Sequence, residues 1–167
     1  MSYLSKIESH INGLQRAADQ LDTAMWPSVL DVRTGRFPAG NHVPKRVYRL
    51  IGAPRGSTLY WDQPLIVTAY ALSALTGSSR FAEAANRYID EFLVTCVSEA
   101  DLFLWGNHMY YDLFERRVIR FHQGHHELRP ITPAWEIFLS LAPEHTAAYI
   151  RTMSYRHVYD PDTGGFN

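Results

Sequence analysis

The chain has 167 residues, 46% of them hydrophobic and 20% charged, which suits one globular domain with a sizeable core. Sixteen Lys and Arg against seventeen Asp and Glu leave a formal net charge of −1, so there is no cationic footprint for a nucleic acid. No apolar run approaches the roughly 20 residues that span a bilayer, which excludes a membrane helix. Cys96 is the single cysteine, which excludes an internal disulfide and any metal site built on paired thiolates. The stretch Met1–Leu21 is amphipathic and lacks the apolar core of a secretory leader, which predicts a cytoplasmic protein.

In chain order, Leu4, Ile7, Ile11, Leu14, Ala18 and Leu21 recur at helical spacing and predict a helix over Tyr3–Met25, ended by Pro27. A loop containing Asp31, Thr34, Gly35, Phe37, Pro38, Gly40 and Pro44 follows. A second helix starts near Asp62 or Gln63, with Asp62 as N-cap and Pro64 in its first turn, and stops at Gly77. It is apolar nearly all round, which predicts burial on several sides. Ser79 caps a third helix to about Val97, with Phe81, Ala84, Ala85, Tyr88, Phe92 and Leu93 facing inward. The short Gly77–Ser79 link makes these two helices an antiparallel pair.

Leu104–His122 has no helical period but alternates, which predicts a β-hairpin. Pairing across Glu115–Arg117 sets Leu113 against Ile119 and Tyr111 against Phe121 on an apolar face. On the other face Asp112 meets Arg120 and Tyr110 meets His122, with His108 a step beyond. Two more helices are expected, one from Pro133 to Leu141 and one from Pro143 to about Tyr155 or His157. The pattern Asp-x-x-Thr-Gly-x-Phe follows the first helix as Asp31–Phe37 and the last as Asp160–Phe166. This echo predicts a repeated helix-pair module. The second copy breaks off at Asn167, so the expectation is one domain over residues 1–167 forming the N-terminal part of a larger protein.

Chemistry concentrates in three places. Aromatics reach 13%, and four of the eight histidines fall between His108 and His126. Ring faces that stack on pyranoses, and polar edges that bind hydroxyls, suit sugar recognition. Trp105, Asn107, His108, Tyr110 and Asp112 lie within eight residues, and the hairpin would add Arg120. These are the parts for removing a proton beside a carboxylate and protonating a leaving oxygen. His108 would be the base and Tyr110 the acid, with Asn107 or Arg120 neutralising the carboxylate, as uronic-acid β-elimination requires. The alternative is a polar hairpin with an Asp112–Arg120 surface pair of little energetic weight.

The second place is His122-Gln-Gly-His-His-Glu127 with Arg129. His122, His125, His126 and Glu127 are the residue types that bind zinc, but the spacing fits no helical HExxH pair and Gly124 argues for a loop. No cofactor is therefore expected, and His126, Glu127 and Arg129 are read as ligands for sugar hydroxyls or a carboxylate. The third is Leu59-Tyr-Trp-Asp62, where Trp61 is a stacking platform or core and Asp62 a cap, an acid-base group, or both. A glycine-rich phosphate loop, a dinucleotide fingerprint and a nucleophile elbow are all absent.

Helix pairs, the Asp-x-x-Thr-Gly turns, Leu59–Asp62, and Trp105–Asp112 followed by His125–Glu127 together resemble bacterial (α/α) toroid glycan enzymes, the polyuronate lyases and unsaturated-glycuronyl hydrolases. The resemblance implies an all-α helix-pair array with a small hairpin, an incomplete toroid holding five of about a dozen helices. It implies a carbohydrate substrate and a lyase acting through Asn107, His108 and Tyr110, or a glycoside hydrolase acting through Asp62 or Asp112. Trp61, Asp62, Trp105, Asp112, His126, Glu127 and Arg129 would shape the sugar site. A helical-repeat module that binds without catalysis is the remaining alternative.

Overall fold

A computed structural model describes residues 2–31, 33–36, 56–105, 109–120, 134–160 and 165–166. Helix α1 spans Tyr3–Asp19, α2 Leu59–Thr76, α3 Arg80–Thr95, α4 Trp135–Leu141 and α5 Pro143–His157. Between and after them run short strands: β1 Gly56–Ser57, β2 Met109–Asp112, β3 Arg117–Arg120, β4 Val158–Asp160 and β5 Gly165–Phe166. The expected class, helix pairs with a small hairpin, is the one observed.

Ser2 caps α1, its side chain accepting from the Ser5 amide at 3.1 Å. The helix stops at Asp19, earlier than the apolar period implies. Leu21 and Thr23 turn their amides back onto the Ala18 carbonyl, and Asp22 takes a left-handed φ of 52°, a helix-ending device. Glu91 of α3 then holds the chain leaving α1, accepting from Thr23 Oγ1 at 2.6 Å and the Ala24 amide at 2.5 Å.

Helix α2 starts at Leu59 after Thr58, so Asp62 is not its N-cap and Pro64 lies past the first turn. Burial of Leu59 and Tyr60 in the core outweighs the lost proline N–H, a case of packing overriding local preference. The helix is less enclosed than its composition predicts: Ile66, Ala69 and Leu72 are buried, but Val67 and Leu75 are exposed. Gly77 ends it with φ 69° and its amide on the Ser73 carbonyl, as its place after the apolar run predicted. Ser79 occupies the cap position of α3 without a capping bond. Ser73 of α2 does that work instead, its Oγ accepting from the Ala82 amide at 2.8 Å.

Phe103, in the segment after α3, is the centre of the core. Its ring stacks on Tyr149 of α5 at 4.2 Å and 9°, meets Phe92 of α3 edge-on at 5.4 Å, and lies 5.7 Å from Phe138 of α4. Thr146 fastens the α4–α5 corner by donating to the carbonyls of Phe138 and Ala142. Cys96 is buried in the same core, and burial pushes its thiol up to about 12.

The sheet order is β1-β2-β3, both pairings antiparallel. β2 pairs Met109 with Arg120, Tyr110 with Ile119, Tyr111 with Val118 and Asp112 with Arg117. This corrects the predicted register: Asp112 does not face Arg120, and the loop is the four residues 113–116. Met109, Tyr111 and Val118 contribute to the core, leaving Tyr110 and Asp112 on the other face. Within the loop the Asp112 carbonyl accepts the Arg116 amide, and Arg116 adopts φ 50°.

The first Asp-x-x-Thr-Gly turn has the same construction. The Asp31 carbonyl accepts the Gly35 amide, Gly35 has φ 63°, and Asp31 bridges to Arg36. In the last copy Asp160 pairs with Gly165 across β4 and β5, again five residues apart. The first turn therefore occurs after α1 where the sequence echo placed it, and its construction recurs within the β2–β3 hairpin; residues 161–164 of the last copy lie outside the described residues.

β1 lies tight against β2. A β-carbon at Gly56 would collide with the Tyr110 ring and the Tyr111 carbonyl, and neither the buried ring nor the paired backbone can retreat. Gly56→Ala is expected to lower stability by about 2 kcal/mol or more, measured by urea denaturation of both proteins.

Candidate active site

Three hydroxyl and carboxyl oxygens meet beneath the start of α2. Ser57 Oγ donates to Asp62 Oδ2 at 2.8 Å, Tyr88 OH donates to the same oxygen at 2.7 Å, and the Thr58 amide reaches it at 3.2 Å. Ser57 Oγ and Tyr88 OH are themselves 2.8 Å apart. Burial raises the Asp62 carboxyl to about 6, against the pull of Tyr88, Ser57 and Thr58, which favour the ionised form. The triangle gives a second reason: two hydroxyl protons fill two of its sides, and a third proton on Asp62 lets all three sides carry a hydrogen bond. Tyr88 stays neutral, its phenol pushed well above its ordinary value by burial and by Asp62.

All of these bonds end on Oδ2, which leaves Oδ1 for a cleft of about 800 Å³ that Asp62 helps to line. Trp61, 40% exposed, stands beside it with its ring edge-on to Tyr60 at 4.9 Å. The opposite wall is α1, with Lys6, His10 and Arg16 facing the cleft, and the far edge is Asp31 and Gly35 of the first turn. The Ser28 amide donates to the Gly56 carbonyl at 2.9 Å, which ties the segment leading to that turn onto β1. The Asp31 carboxyl sits below its ordinary value, chiefly because it accepts the Arg33 amide.

The remaining sequence candidates separate. Trp105 is a core residue, 3% exposed, packed against Tyr60 at 6.1 Å. Tyr110 is buried on the outer face of β2 against Gly56. Asp112 is buried and structurally committed: its Oδ1 accepts the amides of Phe114 and Glu115, both at 2.9 Å. Arg120 ends β3 opposite Met109. Asn107, His108, His122, His125, His126, Glu127 and Arg129 lie outside the described residues. Sequence reasoning missed Ser57 and Tyr88 because neither carries a motif; both matter only through their approach to Asp62. It also missed Asp112 as a turn residue, although Asp112-x-x-Glu-Arg116 repeats the Asp31 pattern with Arg in place of Gly.

Comparison with family models first defines a class: residues 56–167, from β1 through β5, match a family of polysaccharide lyases. The chain belongs to that family, the periplasmic pectate lyases. A carbohydrate-active lyase with a polysaccharide substrate is thus the coarse function. The family's periplasmic description corrects the cytoplasmic expectation. That expectation rested only on a leader not being seen, and a removable segment that is not seen is weak ground for a compartment.

Two measurements follow. Between 3.8, the ordinary carboxyl value, and about 6 the folded chain holds a proton on Asp62 that the unfolded chain has released. Stability must therefore fall as pH rises through this window and then level off, by ~3 kcal/mol in total. In Asp62→Asn this component vanishes, so the difference between wild-type and variant unfolding free energies should drift by that amount from pH 4 to pH 7. For Asp112, the turn role predicts that Asp112→Ala costs roughly 1–2 kcal/mol by stranding two amides. Asp112→Asn, which keeps an oxygen to accept those two amides, should recover most of that loss. A large activity loss in a well-folded Asp112→Asn would give Asp112 a chemical role instead.

Proposed function

We propose that the chain acts on an acidic polysaccharide of the pectate type by β-elimination, with its chemistry on the segment around β2. A uronate residue carries its carboxylate beside the carbon to be deprotonated. The base takes the C5 proton, the C4–O bond breaks as a C4–C5 double bond forms, and the departing oxygen takes up a proton. In this reading His108 is the base and Tyr110 the acid, and Asn107 or Arg120 neutralises the carboxylate while charge builds on it. The supporting observation is the family match, whose span contains every one of these residues. The resemblance to (α/α) toroids supports reading the helix pairs as part of a larger ring, with Trp61, Asp62, His126, Glu127 and Arg129 on the sugar. Trp105 would then support the site from beneath.

A hydrolase has one observation in its favour, the raised carboxyl of Asp62 at a cleft, which suits a general acid. The two reactions differ in product. Elimination of polygalacturonate generates new ultraviolet absorbance from the unsaturated end, whereas hydrolysis generates reducing ends without it. The double variant His108→Ala with Tyr110→Phe is expected to lose at least a hundredfold in rate with its circular dichroism unchanged; full activity in that variant would sink the assignment. Repeating the assay with a chelator sorts the His122–Glu127 cluster. Retained activity leaves it a sugar-binding loop, and activity lost to chelator and restored by metal makes it a metal site.

A further inference from the structure

The cleft between α1 and α2 is separate from the β2–β3 hairpin, and its α1 wall precedes residues 56–167, the part that matches the family. Lys6, Ser9, His10, Gly13 and Arg16 succeed one another at steps of three, one, three and three, which keeps them on one face of the helix. All five line the cleft. Gly13 opens the middle of this wall, since a β-carbon there would meet only the Arg16 guanidinium, at 3.9 Å. Lys6 and Arg16 are exposed and stand ten positions apart, about 15 Å along the axis. Two cations so spaced along one groove suit a chain that carries carboxylates at intervals better than they suit one small anion.

The facing wall supplies the other half of sugar recognition. Trp61 presents a partly exposed aromatic face, and Asp62 presents the oxygen that its three donors leave unused. A flat ring beside a fixed acceptor binds a pyranose through its apolar face and its hydroxyls together. Asp62 is rigidly placed, because its other oxygen is held from β1 and from α3. The open cleft, about 800 Å³ in volume, is in the range of sites that hold a small oligosaccharide.

We propose that this cleft is a binding site for a uronate-bearing oligosaccharide, separate from the hairpin that carries the elimination chemistry. Trp61 stacks on one sugar, Asp62 accepts from its hydroxyls, and Lys6 and Arg16 pair with carboxylates of the sugars on either side. The ligand class rests on the lyase reading, but binding here requires no cleavage. Such a site keeps the polymer on the protein and raises its local concentration for the elimination chemistry.

The test is titration calorimetry of the whole chain with trigalacturonate and with neutral maltotriose. Trigalacturonate should bind the more tightly. The double variant Lys6→Gln with Arg16→Gln, altered only at exposed positions, should weaken that binding by roughly tenfold or more. Trp61→Ala should weaken both ligands, the double variant should keep the wild-type melting temperature, and both variants should keep the wild-type circular dichroism. No binding by the wild type, unchanged binding in the folded double variant, or equal affinity for the two ligands would overturn the proposal. Binding that is lost in the double variant, in a protein that yields no unsaturated product, would uphold the cleft while overturning the lyase reading.

Discussion

The arrangement turns on one buried carboxylate. Asp62 is 2% exposed and draws Ser57 from β1, the Thr58 amide, and Tyr88 from α3 onto a single oxygen. Taking a carboxylate out of water is costly unless its bonds are made, so these partners are positioned together or not at all. Fixing Ser57 fixes β1, and β1 fixes the edge of β2, because Gly56 and Ser57 pair with Asp112 and Tyr111. Fixing Tyr88 sets α3 against α2, and Trp26 packs on the same tyrosine at 5.4 Å. The sheet and the cleft are two sides of this one junction.

That junction also separates two kinds of demand on the sequence. On the core side, Phe103 and its ring partners require only shape and apolarity. On the β2 side, the outer face of a central strand carries Tyr110, the acid of the proposed elimination. On the α1 side, charge and an aromatic face are displayed on rigid elements.

Much of the fold was legible because it follows from local rules. Gly77 marked a helix end by its position after an apolar run, and Phe81, Ala84, Ala85, Tyr88 and Phe92 announced the buried face of α3 by period alone. The hairpin was legible in kind but not in register. The loop takes its left-handed residue at Arg116, where a sequence reader looks for glycine. Arg116 also reaches back to Asp22 in an exposed ion pair at 3.0 Å, a contact from another part of the chain that no local pattern encodes. The start of α2 was misplaced for a similar reason: Leu59 and Tyr60 join the helix because the core receives them. At the candidate site, Trp61 and Asp62 could be singled out by residue type. Only the fold shows that Asp62 depends on Ser57 and Tyr88, and that the wall across from it is α1.

Cys96 has a bearing on where such a chain can work. It is 1% exposed, and its thiol is pushed up to about 12, so almost none is thiolate at neutral pH. The periplasm is an oxidising compartment in which accessible thiols are joined into disulfides. A lone cysteine at the surface would pair with another molecule; sealed beneath α3, this one is inert to the oxidants around it while the chain stays folded. The same packing that fills the core thereby keeps the chain free of unwanted crosslinks in the compartment for which its family is named.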